Sequence, residues 1–339
     1  MGGHQGRRDF IKAGLIGAAG LGLGGFTRAS VLQAATGDMP RRRLGKTGEM
    51  VSLITLGGAH IGYLQDDGEA IRIMHRAIDE GINFFDNSWD YNNGRSEELM
   101  GKALAGARRK DVFLMTKLCS HRGERWSKKQ CFEILDESLR RLQTDYLDLW
   151  QLHEVIKEDH PDKAFAPGAA IEALAEAKKA GKVRYIGFTG HRDPKIHLKM
   201  LSHNFPFDTV QMPLNVLDAH FKSFQQEVLP QLRERGIGVI AMKPLGGGRE
   251  VGAIMETKTV SAVEALHYVM NLPVATVVNG IISMERLDQA LLAARTFKPM
   301  SEIQVSQLLD KTRPAALEGK FENYKQALYL DNTPQVMRA

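Results

Sequence analysis

Residues 146–153 read YLDLWQLH, a run that is apolar apart from Asp148 and Gln151 until it ends on His153. A strand of that composition has both faces covered, as in a parallel sheet wrapped by helices. Seven more runs share its character: VSLITLG from Val51, INFFDNS from Ile82, DVFLMTKL from Asp111, VRYIGFTG from Val183, FDTVQMPLN from Phe207, IGVIAMKPLG from Ile237 and ATVVNGI from Ala275. Their starts recur at roughly 24 to 38 residues, the length of one strand, one helix and two loops. Eight such units predict an α/β fold closed into a (β/α)8 TIM barrel.

The intervening segments support that reading. EAIRIMHRAIDEG from Glu69 places Ile71, Ile73, Met74, Ala77 and Ile78 largely on one side and stops at Gly81. AIEALAEAKKAGK from Ala170 is a strong helix ending in lysines and Gly181. A doubly wound open sheet is the alternative, but TLGGAHIG after the first run is not the Gly-x-Gly-x-x-Gly turn such a sheet usually carries. The expected organisation is a leader over 1–35, a barrel over 41–296, and a helix with an extended tail laid on the barrel over 297–339.

The N-terminus carries Arg7-Arg8 before Asp9, Phe10, Ile11 and Lys12, followed by an uncharged glycine-rich run from Ala13 to Phe26. It resembles a bacterial twin-arginine export signal, with Gly6 in place of the usual serine. That implies export to the periplasm by the twin-arginine machinery, a route for folded proteins. The run is too short and glycine-rich to predict a permanent membrane span. The formal charge of +5 falls to +2 once the leader's net +3 is set aside, and no basic stripe points to nucleic acid. With only Cys119 and Cys131 and no Cys-x-x-Cys pair, neither a zinc nor an iron–sulfur site can be built from cysteine, and no metal is expected. The two cysteines read as small hydrophobes, although an oxidising compartment would permit them to pair.

In a barrel of this kind, polar residues at the C-terminal ends of strands line the active site. The second run ends in Asp86, with Tyr91 just beyond; the third carries Lys117 and the fourth ends in His153. Each has an ordinary structural explanation by itself, but three consecutive strands deliver an acid, a lysine and a histidine to one rim. These positions resemble the aldo/keto reductases from Arg41 to about Arg295. The family's Asp-x-x-x-x-Tyr motif, followed by glycine and Ser-Glu, is matched by Asp86, Tyr91, Gly94, Ser96 and Glu97. The resemblance implies Asp86, Tyr91, Lys117 and His153 as the catalytic set. A phenol of pKa ~10 is a sluggish acid near neutrality, and an adjacent ammonium favours its ionised form. Lys117 would supply that charge, Asp86 would hold the lysine, and neutral His153 would orient the substrate oxygen while hydride moves to or from a nicotinamide.

The same resemblance implies a cofactor site for NADP(H) or NAD(H), built from Gly58, Thr189, Gly190, Gln211, Met242 and the segment Lys243, Pro244, Leu245, Gly246, Gly247, Gly248, with Gly280, Ser283, Arg286 and Gln289 near the last strand. Thr189-Gly190 replaces the family's Ser-Asn, Met242 stands where it has an aromatic ring, and Gly280 stands where many NADPH-preferring members have lysine. Around the substrate, Trp89 with Asp90, Glu154 and His60 stand where members acting on hydrophobic carbonyls place aromatics, while Trp126 follows the third strand on a loop that could reach the pocket and Asn215 follows the sixth. A rim of rings, carboxylates and amides suits a carbohydrate. The alternatives are a barrel glycoside hydrolase, pairing Asp86 with Glu154 or Asp90, and a protein that binds nucleotide or sugar without turnover. Because no cofactor pool is expected outside the inner membrane, an exported member is expected to cross with its nucleotide tightly bound, Gly248–Ala262 acting as a clasp.

Overall fold

We describe residues 37–248 and 252–326 of a computed structural model of the chain. The expected leader therefore lies outside the described residues.

A short antiparallel hairpin, β1 (Arg41–Arg43) with β2 (Met50–Ser52), precedes a closed barrel of eight parallel strands. These are β3 (Ile54–Gly57), β4 (Phe84–Asp86), β5 (Phe113–Cys119), β6 (Leu147–His153), β7 (Val183–Thr189), β8 (Thr209–Pro213), β9 (Gly238–Met242) and β10 (Thr276–Gly280). They pair in chain order, and β10 closes on β3 with Val277 opposite Ile54. All eight apolar runs are thus barrel strands, as the sequence predicts.

The first run is split, however. Ser52 turns the chain: its backbone N–H donates to Asn83 Oδ1 at 2.7 Å and its hydroxyl to the Ile54 carbonyl at 2.7 Å. Leu53 N–H donates to the Pro40 carbonyl at 2.8 Å. With those groups satisfied outside the barrel ladder, Met50–Ser52 belongs to the hairpin and only Ile54–Gly57 to the barrel.

Period-two alternation sorts each strand into inward and outward side chains. Phe84, Phe113, Met115, Leu149, Ile240 and Ala275 point inward near the strand starts and pack with Leu44 and Val51 of the hairpin as one buried cluster. Further along the same register come Asp86, Lys117, Gln151 and His153, all buried. The outward residues meet the helices in a second, larger core. The helix predicted from Glu69 begins at Asp67, because Asp66 caps it by accepting from Gly68 N and Glu69 N at 2.7 and 3.2 Å. It buries Ala70, Ile73, Met74 and Ala77, roughly 1.5–3 kcal/mol for each large apolar side chain.

After the helix Met284–Thr296 comes a helix over Glu302–Thr312, started by a capping box between Ser301 and Gln304. Two short 3-10 turns, Arg313–Gly319 and Asn323–Lys325, then return the chain over the C-terminal ends of the strands. Among the described residues no helix is long and apolar enough to cross a membrane.

Candidate active site

Lys117, 1 % exposed, is the hub. An ammonium has three donors and no acceptor. Here Nζ donates to Asp86 Oδ1 at 2.8 Å, to the Asn87 carbonyl at 2.7 Å and to the Tyr91 phenol oxygen at 3.1 Å. The cation is therefore fixed in place with one N–H aimed at the phenol. Asp86 is held in turn, since its Oδ2 accepts from Gln211 Nε2 at 2.7 Å.

The loop after β4 explains the long motif. Asn92 and Asn93 both take left-handed backbone (φ 54° and 56°), a conformation asparagine tolerates, and Gly94 follows at φ 92°. This tight turn folds Tyr91 back over the strand ends. Its exit is tied down by Ser96, whose hydroxyl donates to the Gly58 carbonyl at 2.7 Å. Glu97, fully buried, accepts from Thr116 Oγ1 at 2.6 Å and from Arg141 at 3.3 Å. Arg141 also donates to the Trp89 carbonyl at 2.9 Å. The Gly-x-Ser-Glu part of the motif is thus the mounting of the tyrosine.

His153 lies edge-on to Tyr91, ring centroids 6.2 Å apart. Its Nδ1 is 3.2 Å from Cys119 Sγ and 3.4 Å from Ser88 Oγ. Burial holds its pKa well below the ordinary histidine value, so it is a neutral imidazole at physiological pH. Cys119, beside it, is pushed upward by burial and by the Asp90 charge, hence a thiol rather than a nucleophile. It is not disulfide-bonded, and neither is Cys131.

The matches to known proteins agree with this geometry. The model of the aldo/keto reductase family matches residues 53–279. The chain belongs to the aldo/keto reductase family. An uncharacterized oxidoreductase of Bacillus subtilis, YrpG, is 34% identical over 226 residues, covering 60% of this chain and 66% of that protein. L-galactose dehydrogenase of Arabidopsis thaliana is 34% identical over 218 residues, covering 61% and 66%. The chain thus spans just under two thirds of each relative. Among solved structures, the holo form of the aldo-keto reductase AKR11C1 from Bacillus halodurans matches with a TM-score of 0.65 at 28% identity, over 84% of this chain and 99% of that one.

The family's nicotinamide cofactor can be tested against the residues present. Gln211 Oε1 is buried and accepts no hydrogen bond among the described residues, which suits an amide donor such as a nicotinamide carboxamide. Met242 lies at the end of β9, its sulfur 4.0 Å from Thr189 Oγ1. Ser283 caps the helix Met284–Thr296 by accepting from Arg286 N at 3.2 Å, and Arg286 reaches Gln289 at 3.1 Å. Together these three dress a helix N-terminus, a natural phosphate site. Lys243 to Gly248 follow β9, and Gly246, Gly247 and Gly248 all have positive φ. Leu245 and Pro244 lie within that turn. The residues fit the cofactor.

Three of the expected cofactor glycines have a packing reason. A Cβ at Gly58 would run into the Asp86 carbonyl, one at Gly190 into the Val155 carbonyl, and one at Gly280 into the His60 ring. The missing amide after Thr189 and the missing lysine at the end of β10 therefore coincide with close backbone and ring approaches.

The expected substrate residues divide. His60 Nε2 donates to the Gly248 carbonyl at 3.0 Å, linking the loops after β3 and β9. Asp90 is 6 % exposed and committed, one oxygen accepting from Ser88 Oγ at 2.8 Å and the other from Arg122 Nε at 2.9 Å. Asp90, His121 and His153 each place a ligand-type atom within 4.8 Å of the others, but His121 Nδ1 is already engaged by the His153–Glu154 peptide, 2.9 Å from the His153 carbonyl oxygen and 2.8 Å from Glu154 N, so the group is a polar wall. Trp89 is a correction: its indole N–H donates to Glu137 at 2.7 Å and its ring faces Arg125 and Arg141, so it braces the helix Lys128–Leu142. Trp126 donates to Glu124 at 2.8 Å and packs on His160. Asn215 is also a correction, because Oδ1 accepts from Leu217 N and Asp218 N while Nδ2 donates to Tyr324 Oη at 2.9 Å and Glu322 at 3.2 Å. It anchors the C-terminal segment. Glu154 is fully buried beside His153, its Oε2 3.7 Å from Nε2.

The sequence reading missed His191, Ser88 and the C-terminal trio Glu322, Tyr324 and Lys325. Lys325 Nζ donates to Asp218 at 2.7 Å and to the Phe221 carbonyl at 2.7 Å, and Glu322 is beside it at 3.0 Å. Its side chain, like those of Asp218 and Glu322, is 0% exposed. Charged residues near a chain end look solvated in a sequence, so nothing there announces a buried cluster.

Proposed function

We propose that this aldo/keto reductase interconverts a carbonyl and an alcohol on a hydroxylated small molecule, a sugar or polyol, with a nicotinamide cofactor it keeps between turnovers. The observation that carries the reading is the Lys117 ammonium, which binds Asp86 and Tyr91 at once. Lys117 favours the ionised form of the phenol, so Tyr91 can give or take a proton at the substrate oxygen. Neutral His153 donates to the same oxygen and fixes its position. Bound NADP(H) or NAD(H) would supply or accept the hydride; Gln211, Thr189 and Met242 would orient its ring, and Ser283, Arg286 and Gln289 its phosphate end. Arg286 is the main candidate for a 2′-phosphate.

The carbohydrate reading is supported by the buried Glu154 beside His153 and by the likeness to a relative named for L-galactose. The paired-carboxylate hydrolase finds no such support, since both Asp86 oxygens are occupied by Lys117 and Gln211. The export reading rests on Arg7-Arg8 and the apolar run behind them. Export to the periplasm through the twin-arginine machinery would carry the folded protein out with its nucleotide in place.

Native mass spectrometry of protein recovered from the exported fraction tests this. The expected result is near-stoichiometric nucleotide that survives dialysis, and a change at the reduced-nicotinamide absorbance band on adding substrate alone. Protein that is empty, and active only with added micromolar cofactor, would contradict the retained-cofactor reading.

A further inference from the structure

His191, just past β7 and 1 % exposed, is held at both ring nitrogens. Nδ1 is 3.0 Å from the backbone carbonyl oxygen of Tyr324, and Nε2 is 2.6 Å from Glu154 Oε2. A carbonyl oxygen only accepts, so Nδ1 carries a proton. A carboxylate also only accepts, so Nε2 must carry one too, unless Glu154 is itself protonated. In either form the pair holds one proton more than a neutral imidazole and a carboxylate would.

The charge distribution around Glu154 selects between the two forms. Burial by itself would push the Glu154 carboxyl up; the charge and hydrogen bond of His191 hold it below the usual carboxylate range. Arg192, on the same loop as His191, adds a further positive charge facing it, and His160 faces only its backbone carbonyl, at 3.0 Å. With both ring nitrogens of His191 facing acceptors, at 3.0 and 2.6 Å, the geometry is that of imidazolium and carboxylate, and the short Nε2 separation is that of a charge-assisted bond.

Glu154 stands next to the reacting centre. Its Oε2 is 3.7 Å from His153 Nε2. Its Oε1 accepts no hydrogen bond among the described residues; His121 Nε2 lies 3.8 Å away. A buried carboxylate oxygen without a donor is uncommon and costly unless a ligand provides one.

We propose that His191 is a positioning residue of the active centre: held doubly protonated between the Tyr324 carbonyl and Glu154, it keeps Glu154 ionised beside His153, where Oε1 accepts a hydrogen bond from the substrate hydroxyl next to the reacting carbon. The inference rests on the reading that the substrate is a hydroxylated carbonyl or its alcohol, and narrows it to α-hydroxy carbonyls and vicinal diols. It also makes the C-terminal segment part of the active centre. The Tyr324 carbonyl is the acceptor that requires Nδ1–H, and Lys325, bonded to Asp218 and Glu322, sets that carbonyl in place.

The test uses the full chain labelled with 15N-histidine, together with Glu154→Gln. In the variant the glutamine amide can donate to Nε2 of a neutral ring, which keeps the contact and removes the charge. At pH 8 the wild-type spectrum is expected to show one histidine with both ring nitrogens protonated, and the Glu154→Gln spectrum none. In turnover, Glu154→Gln should lower kcat/KM for an α-hydroxy ketone about ten- to a hundredfold more than for the same ketone without the hydroxyl, the scale of one charged hydrogen bond. Only neutral rings in the wild type, or equal losses on the two ketones, would overturn the proposal. If the wild type turns over neither ketone, the functional reading fails separately, because the spectrum does not depend on any substrate.

Discussion

The two ends of the barrel interior are made from the same strands and behave as different materials. At the start of β4, β5 and β6, Phe84, Phe113, Met115 and Leu149 face inward and pack with the hairpin's Leu44 and Val51. Two to four residues further along the same faces stand Asp86, Lys117 and His153. Both layers are almost fully buried, yet one is held by packing and the other by hydrogen bonds, three of them from a single ammonium. Burial therefore does not separate core from site in this molecule; the pairing of polar atoms does. A dry apolar floor also strengthens the electrostatics above it, because water is excluded from below.

That contrast can be broken from the floor. Phe84→Ala removes a fully buried ring from the apolar layer and should cost about 3–5 kcal/mol of stability. A denaturant titration measures the loss, while the protein that remains folded should turn over at the wild-type rate. A large drop in turnover per folded molecule would mean that the floor also shapes the site.

A smaller effect sharpens the contrast by separating buried histidines from the paired ones at the centre. Burial pushes His197 down to about 3 and His160 down to about 4. Both lie below the unfolded value of about 6.5. Between those limits the unfolded chain binds protons the folded chain does not, so stability should fall as pH drops below about 6.5. His197 packs among Phe188 and Phe224. His197→Phe should flatten that slope by one proton, about 1.4 kcal/mol per pH unit. Stability curves at pH 4 to 7 check this, and an unchanged slope would show that His197 does not titrate on unfolding.

The apolar layer and the barrel were legible because burial on both faces leaves continuous hydrophobic runs such as LDLWQLH, and because one strand, helix and pair of loops has a narrow length. Asp86, Tyr91, Lys117 and His153 were legible through their spacing and their place at strand ends. Trp89 and Asn215 were misread, since sequence distance from the tyrosine or from β8 says nothing of which way a loop side chain turns. Trp89 turned to Glu137 and Asn215 to Tyr324. Glu322, Tyr324 and Lys325 lie more than a hundred residues from Asp218 and Asn215, and only the folded chain makes their charges complementary. His191 was invisible for the same reason: its partners come from the residue just past β6 and from the C-terminal turn.

The central claim is that Tyr91, on the platform of Lys117 and Asp86, moves the proton. It is tested most directly by single-turnover absorbance at the reduced-nicotinamide band, comparing wild type with Tyr91→Phe on a confirmed carbonyl substrate. The account predicts that Tyr91→Phe binds cofactor as the wild type does and reacts at least ~10²-fold more slowly, the scale of general acid–base catalysis. A Tyr91→Phe protein that reacts at the wild-type rate would contradict it.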